Sequence, residues 1–242
     1  MIQHLLQLIW NQRKQNAWLW AELLLVSVFL WFLVDYLYVM GRTYTAPLGF
    51  DIRHTYSIVI SSLSERSPDY IPKEKRERPD GVHLLTALDR IRTYPGVESA
   101  CLTDGGMPYY MGSRNLVWRI DTLQVPCRYA FVTPEFFDVF RIYDKDGKTA
   151  SLKRAIEDNN SIVISADVET MNPGLSLLGQ KAYRGNVTDE IEETIRGISV
   201  PIRRHEYTKA EPNVYRALRL SRMEEGYYEG MIDAVRLCVR VR

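Results

Sequence analysis

The sequence predicts an α+β protein, with one N-terminal transmembrane helix followed by a mixed α/β core domain. Two patterns carry this prediction. The segment 19–40, LWAELLLVSVFLWFLVDYLYVM, is an almost continuous apolar run, and a run of this length can cross a bilayer as a helix. From residue 47 onward, short β-branched runs alternate with segments of helical apolar spacing and with turns that contain Gly or Pro. This alternation is typical of a folded mixed domain.

The transmembrane helix is predicted at 17–40. At about 1.5 Å per residue, the apolar run reaches across about 30 Å of hydrocarbon. Glu22 and Asp35 lie near its two ends, where they can reach lipid headgroups, and a functional acid inside the membrane is the alternative. Aromatic residues stand at both ends, as in the interfacial belts of membrane helices: Trp18, Trp20, Tyr36, Tyr38 and Tyr44.

Two other interpretations of the apolar run are disfavoured. A cleaved signal peptide does not fit the bulky aromatic content or the lack of an A-x-A-like site. A buried core helix does not fit a segment that is apolar on all sides. Arg13 and Lys14 precede the run, and Arg42 and Arg53 follow it, so the positive-inside rule does not orient the helix.

Residues 1–16 are predicted to form an amphipathic N-terminal segment. One apolar face comprises Leu5, Leu6, Leu8, Ile9 and Trp10, and the polar residues Gln3, Gln7, Asn11 and Gln12 lie largely opposite it. This arrangement suits a short helix on the membrane surface. A simple extension of the membrane helix is the alternative.

The core domain is predicted at 47–242. β-branched and aromatic runs predict its strands, at 54–61, 97–103, 116–120, 125–132, 161–165, 179–184, 194–203, 214–220 and 234–241. Apolar spacing and capping residues predict its helical segments, at 82–94, 134–140, 152–156 and from 165 or 167 to 172. The strand, helix and strand within 52–103 predict one β-α-β unit.

Two details of these elements are specific enough to test. Thr133 is predicted as the N-cap of the helix that Pro134 begins. In the last strand, Arg236, Cys238 and Arg240 alternate with apolar residues, which predicts one polar and exposed face.

The composition excludes some classes of protein. With 46% hydrophobic residues and a net charge of +1, the chain is neither disordered nor expected to bind nucleic acid. Three cysteines imply no complete disulfide framework. Cys101, Cys127 and Cys238 lie in strand-like runs and are predicted as small buried apolar residues, with a pair between Cys101 and Cys238 as the alternative.

No catalytic or ligand motif is complete, so we expect no enzyme, no cofactor and no metal site. The segment 147–149 resembles the end of a phosphate-binding loop, but Ile142 occupies the place of the required Gly. Asp144 and Asp146 resemble the start of a calcium loop, but Lys148 occupies the place of the third ligand, and a turn is predicted instead. The four histidines lack metal-binding spacing: His4, His54, His83 and His205.

The loop 107–114 is the candidate surface for partner contact. Tyr109 and Tyr110 stand beside Met107 and Met111, and together they can form an apolar patch. A locally packed loop is the alternative.

Several segments together resemble one family, in that family's order. After the membrane helix come 84–102, LLTALDRIRTYPGVESACL, and 129–142, YAFVTPEFFDVFRI. They are followed by SIVISADVETMNPG with GQKAY, by IRGISVPIRRHEY, and by the final LCVRVR. These segments resemble the permease subunits of MacB-type ABC transporters, which have an FtsX-like membrane domain. The PEFFDVF box is the most specific of them.

The resemblance implies a bacterial protein of the cytoplasmic (inner) membrane with its large domain in the periplasm. The implied core has a porter-like β-α-β part, about 47–106 and 190–242, and an inserted lobe, about 107–189. The implied partners are a separate ABC ATPase, a permease partner in a homo- or heterodimer, and a periplasmic protein. The implied function is to transmit ATP-driven conformational change across the membrane, for export or mechanotransmission.

Permeases of this family have three further membrane helices, whereas the sequence has no second apolar run. We therefore expect either the first portion of a longer permease or a reduced member. A stand-alone membrane-anchored sensor or binding module is the alternative function, and a membrane-tethered enzyme would need catalytic groups that converge from distant positions.

Overall fold

The computed structural model describes residues 3, 7, 10, 17–61, 63–110, 112, 114–184, 190–228 and 232–242. The chain separates into two compact units, Met1–Ala46 and Pro47–Arg242. The described residues of the first unit are helical up to Thr45, and those of the second contain nine strands and five short α-helices. The predicted α+β class, with one N-terminal apolar helix and a mixed core, is confirmed.

Helix α1, Ala17–Thr45, extends past the predicted end of the membrane span. None of its residues is buried, and by length and composition it is able to cross a bilayer. Gln3, Gln7 and Trp10 are helical and exposed. The other residues of the predicted amphipathic segment 1–16 lie outside the described residues.

The secondary structure of the core unit follows the predicted order. Its strands are β1 (Thr55–Val59), β2 (Val97–Asp104), β3 (Arg114–Ile120), β4 (Leu123–Val132), β5 (Ser161–Ser165), β6 (Lys181–Arg184), β7 (Ile191–Ser199), β8 (Asn213–Ala217) and β9 (Arg236–Val241). Its helices are α2 (Asp80–Arg92), α3 (Phe136–Val139), α4 (Ala150–Glu157), α5 (Asp167–Met171) and α6 (Leu220–Glu224). Each predicted strand is present, with boundaries shifted by a few residues.

Six of the strands close into a barrel. Around the ring, β4 pairs with β3, β3 with β6, β6 with β7, β7 with β5, β5 with β8, and β8 with β4. Closure pairs the backbone on both sides of each strand and removes free edges. Trp118, Ile120, Ile162 and Ile195 are 0% exposed within one hydrophobic cluster of these strands. The barrel therefore encloses a packed core.

The remaining three strands form an antiparallel extension of the barrel. β9 lies between β1 and β2, and β2 continues onto the last residues of β4, with Thr103 opposite Val132. The predicted β-α-β unit exists as β1, α2 and β2, but its two strands are not neighbours. A pattern within 52–103 could not show this, because the strand that separates them comes from the end of the chain.

Leu84 and Leu88 of α2, each 1% exposed, belong to a cluster with residues of β2 and β9. This packing places α2 on the three-stranded extension. The barrel combines β3–β6 from the predicted inserted lobe with β7 and β8 from the part predicted as porter-like. The two-part division stays a prediction.

Two of the detailed predictions are wrong. Thr133 does not cap α3, since its hydroxyl oxygen accepts a hydrogen bond from the Leu102 backbone N–H at 3.2 Å. Its own N–H donates to the Leu102 carbonyl, so Thr133 prolongs the pairing of β2 with β4. The β9 face with Cys238 and Arg240 is not exposed, because α3 packs against it; these residues are 0% and 1% exposed.

Candidate functional site

The predicted partner-contact loop connects β2 to β3. Tyr109 is 41% exposed, whereas Met107 is partly buried against a core cluster that includes Cys101 and Cys238. Tyr110 is half-buried, and its backbone N–H donates to the Met107 carbonyl at 3.4 Å. Met111 lies outside the described residues. The role of this loop in partner contact stays a prediction.

Tyr109 is fixed at the surface by three contacts. Its backbone N–H donates to the Arg204 carbonyl at 3.1 Å, and its hydroxyl donates to Glu206. Its ring meets Phe50 edge-on, with centroids 5.9 Å apart. The hydrogen bond from Tyr109 lowers the pKa of Glu206. These contacts hold the loop in one position while they leave part of the Tyr109 ring accessible.

Met107 lies beside two buried thiols. Its sulfur is 3.1 Å from the Cys238 sulfur, and Cys238 is directly opposite Cys101 in the pairing of β9 with β2. Both cysteines, and Cys127 in the barrel, are free and buried. Burial raises the pKa of Cys101 above its usual range and that of Cys127 to about 12. The prediction of buried apolar cysteines is confirmed, and such thiols are poorly reactive.

The turn that begins at Asp144 is held together by hydrogen bonds to the Asp144 carboxylate. One Asp144 carboxylate oxygen accepts the backbone N–H groups of Asp146 and Lys148, at 2.9 and 2.8 Å, and Ser151 donates to the other oxygen. Burial raises the pKa of Asp144, but these hydrogen bonds outweigh burial and lower it. Among the described residues, no group of three or more His, Cys, Asp or Glu side chains could hold a metal ion.

A buried arginine fixes the first residues of the core unit. Arg240 donates from Nε to the Val139 carbonyl at 2.7 Å and from Nη1 to the Arg53 carbonyl at 2.8 Å. Its Nη2 donates to the Asp51 carbonyl. Burial lowers the pKa of Arg240, and these carbonyl oxygens replace the water that its guanidinium loses. The segment 47–54, which precedes β1 and is here named the entry segment, is thereby bound to β9 and α3.

Further contacts of the entry segment are made by the backbone. The Arg203 N–H donates to the Leu48 carbonyl at 3.0 Å, and the Asp51 N–H donates to the Phe140 carbonyl at 2.8 Å. Gly49 has a φ of +82°, and a Cβ placed there would lie 2.1 Å from the Pro201 carbonyl oxygen. Only glycine fits this position. The entry segment is thus held on the core by side-chain and backbone contacts together.

One cavity in the described structure has five arginines among its fifteen lining residues. It has a volume of about 410 Å³, within the usual range for small-molecule pockets. It lies at the end of the barrel where β4, β6 and β8 end and where β5 and β7 begin. We name it the arginine cavity after five of its lining residues: Arg114, Arg184, Arg216, Arg219 and Arg222.

Two carboxylates also line this cavity, and both are held by arginines. Glu193, 2% exposed, accepts two hydrogen bonds from Arg216, whose guanidinium lies 5.0 Å from the Phe131 ring centroid. Asp104 accepts a 2.6 Å hydrogen bond from Arg114. Burial raises the pKa of Asp104 despite this partner. Sequence reasoning missed the cavity, because its arginines come from β3, β6, β8, α6 and the connection between β8 and α6.

Comparison with known proteins gives matches among solved structures alone. No protein-family model matches the sequence. No curated protein matches it. A domain of a protein described as a permease, from Porphyromonas gingivalis, is 19% identical with a TM-score of 0.46. That match covers 65% of this chain and 60% of the other, so this chain spans less than two thirds of that structure.

Two further matches are extracytoplasmic domains. The extracellular domain of the noncanonic ABC-type transporter YknZ, from Gram-positive bacteria, is 11% identical with a TM-score of 0.45, covering 78% of this chain and 83% of that one. The periplasmic region of MacB from Actinobacillus actinomycetemcomitans is 9% identical with a TM-score of 0.44, covering 83% and 79%. The chain is similar to these domains, which are of the class that its sequence motifs resemble. At these identities and TM-scores, the similarity assigns no activity or partner to this chain.

Proposed function

We propose that this chain is the membrane-anchored extracytoplasmic domain of an ABC transporter permease subunit. Helix α1 anchors it in the cytoplasmic membrane of a bacterium, and the core unit lies in the periplasm. A separate ABC ATPase and a second permease, identical or different, complete the complex. ATP-driven conformational change passes through α1 to the core unit, which acts on a periplasmic partner protein.

The proposal is carried by the ordered family motifs and by the place of the PEFFDVF box in the fold. Phe136 and Phe137 are 0% exposed and Phe140 is 4% exposed. Their rings contact one another and Tyr215 of β8. The box therefore packs α3 between the barrel and the strands β2 and β9. A motif in this position characterises a fold, because its residues determine how the barrel meets its three-stranded extension.

Transmission of movement needs the first residues of the core unit to be held firmly on that unit, and the contacts of the entry segment support this. Pro47 follows the helical unit directly in the chain. The Arg240 guanidinium binds two carbonyls of the entry segment and one of α3. A displacement of the chain at residue 47 would therefore move β9 and α3 together. If 47–54 were a flexible linker, it would absorb the displacement instead.

Affinity purification tests the complex. The chain, tagged at its C-terminus and expressed in its native host, is solubilised in a mild detergent, and the bound proteins are identified by mass spectrometry. An ABC ATPase should co-purify with it. The matched control replaces Leu30 and Leu33 by arginine, which should remove the chain from the membrane and from the complex. If the wild-type chain retains no ATPase, the transporter role is wrong.

Transmission itself needs a second measurement on the purified complex. A fluorophore on Lys145→Cys, an exposed position in the core unit, should change its emission when ATP and vanadate trap the ATPase. Arg240→Leu should reduce this change while the ATPase still co-purifies. A signal that is unaffected by nucleotide would contradict transmission and leave the anchoring role intact.

The arginine cavity favours a second candidate, a membrane-anchored sensor or binding module. A binding module needs an enclosed site for a ligand but no ATPase, and the cavity has a suitable volume. The purification separates the two candidates. Tight binding of a small molecule without any ATPase would support the binding module.

A further inference from the structure

The arginine cavity has more positive than negative charge among its described lining residues. The lining includes five arginines and two carboxylates, and both carboxylates already have arginine partners, Glu193 with Arg216 and Arg184, and Asp104 with Arg114. The cavity would therefore attract an anion, and its partly enclosed position weakens screening by salt.

Two arginines of the cavity have no acidic partner among the residues that the structure describes. Among the described residues, no carboxylate lies within 4.0 Å of the guanidinium of Arg219 or Arg222. Arg219 is half-buried. Arg222 lies over the Tyr227 ring, 5.3 Å from its centroid. Stacking of this kind orients a guanidinium and leaves its N–H groups available to a ligand.

The floor of the cavity contains buried polar atoms without a hydrogen-bond partner. The Arg184 Nε is 3.5 Å from the Glu193 carboxylate, and the described residues supply no hydrogen bond to that nitrogen or to Glu193 Oε2. The two atoms form a long ion pair with each other but no hydrogen bond, and a buried donor and acceptor without hydrogen bonds are costly. Asn159 and Asn160 also line the cavity, so its wall includes amide groups beside the guanidinium groups.

From this arrangement we propose that the arginine cavity binds a phosphate group, carried by a small anionic molecule or by the headgroup of an anionic lipid. A phosphate group has several acceptor oxygens and one or two negative charges, and an arginine fork can bind it with two hydrogen bonds. Arg219 and Arg222 are the primary phosphate ligands, and Arg184 supports them from the barrel end. Glu193 and Arg216 are neutralised by each other and form the floor.

Calorimetric titration with pyrophosphate tests the site. The full chain is held in nanodiscs of phosphatidylcholine at physiological ionic strength, where weak surface attraction is screened. We expect binding tighter than about 1 mM. The double variant Arg219→Gln with Arg222→Gln should bind at least roughly tenfold more weakly, because charge-assisted hydrogen bonds are lost. Arg90→Gln, an exposed arginine of α2 outside the cavity, is the matched control and should bind as the wild type does.

A second set of nanodiscs identifies the source of the phosphate. If a lipid headgroup occupies the cavity, phosphatidylglycerol in the disc should weaken pyrophosphate binding in the wild type. If the ligand is soluble, binding should be the same in both lipids. Either result supports the site, provided that pyrophosphate binding is weakened in the double variant of Arg219 and Arg222. Circular dichroism and thermal unfolding verify that the double variant is folded.

The proposal is overturned if the wild-type chain does not bind pyrophosphate in phosphatidylcholine discs. It is also overturned if Arg90→Gln weakens binding as much as the double variant does, since attraction would then come from general surface charge. Neither result depends on whether an ATPase co-purifies, so this proposal and the proposed transporter role fail independently.

Discussion

Helix α1 and the interior of the barrel have similar side chains in opposite surroundings. Leu25 and Trp31 of α1 are 69% and 72% exposed, whereas Trp118 and Ile120 of β3 are 0% exposed. The helix satisfies its own backbone and can therefore place apolar side chains in lipid. The barrel satisfies its backbone by ring closure and encloses its apolar side chains. Helix α1 therefore needs an apolar phase outside the protein, whereas the core unit encloses its own.

The largest expected effect is on the membrane contact of α1. Replacing Leu30 and Leu33 by arginine should cost roughly 6–8 kcal/mol of insertion free energy, at about 3–4 kcal/mol for each substitution near the helix centre. The chain should then move from the carbonate-resistant membrane fraction to the soluble or aggregated fraction. The variant with Val at both positions is the control and should stay in the membrane. A double arginine variant that resists carbonate extraction would show that α1 is not a lipid-facing span.

The next effect is on the barrel interior. Trp118→Ala should lower the free energy of unfolding by about 3–5 kcal/mol, because it leaves a cavity in a closed ring. The measurement is denaturant unfolding of the full chain in detergent, followed by circular dichroism.

Two neighbouring variants sharpen this prediction. Trp118→Phe should lose less unfolding free energy than Trp118→Ala. The Trp118 indole N–H has no hydrogen-bond partner among the described residues, so its removal takes away an unpaired buried donor. Val117→Ala, 50% exposed on the same strand, should change the free energy of unfolding by less than about 0.5 kcal/mol. If Val117→Ala and Trp118→Ala lowered the free energy of unfolding equally, the closed barrel would be contradicted.

Arg240 is a large polar side chain that is as fully buried as the apolar side chain of Trp118. Arg240→Leu should lower the free energy of unfolding by roughly 2–4 kcal/mol, because three backbone carbonyls lose their donor. Arg236→Leu, which removes a single exposed hydrogen bond to the Asp233 carbonyl, should cost less than about 1 kcal/mol. Urea unfolding curves of both variants measure the difference. If the two variants lose the same stability, the entry segment is not held by Arg240.

The smallest expected effect is a dependence on pH at the entry segment. Hydrogen bonds from Arg53 lower the pKa of Asp51 from 3.8 to about 2. Because the pKa is lower in the folded state, this pair stabilises the fold above pH 4, and the stabilisation is lost as pH falls toward 2. Arg53 is 80% exposed, so the effect should stay below about 1 kcal/mol.

Thermal unfolding of the wild type and of Asp51→Asn measures this effect. The two should differ at pH 6 and converge near pH 2. Asp121→Asn, at an exposed turn, is the control and should follow the wild type throughout. A difference that persists at pH 2 would mean that Asp51 acts through packing and not through its charge.

Local patterns predicted most of the fold, because each strand and helix depends mainly on its own residues. The apolar run at 19–40 predicted α1, and β-branched runs predicted the strands. Barrel closure and the position of β9 between β1 and β2 depend on contacts between distant segments, which a single sequence does not display. For the same reason, the period-two pattern of β9 predicted an exposed Arg240, although α3 covers it.

The candidate site was less predictable. The loop with Tyr109 and Tyr110 stood out by its composition, and its role stays a prediction. The arginine cavity had no local signal that distinguished it from an ordinary charged surface. Arg216, Arg219 and Arg222 follow one another closely in the sequence. Arg114 joins them through the pairing of β3 with β4 and of β4 with β8, and Arg184 joins them through the pairing of β6 with β7, β7 with β5 and β5 with β8.

The central claim is that α1 lies in the membrane and the core unit lies outside the cytoplasm. Labelling of spheroplasts with a membrane-impermeant maleimide tests it most directly, since the three native cysteines are buried. We predict that Lys145→Cys reacts in intact spheroplasts and that Gln7→Cys reacts after permeabilisation alone. Reaction of Gln7→Cys in intact spheroplasts, with Lys145→Cys protected, would place the core unit in the cytoplasm and contradict the account.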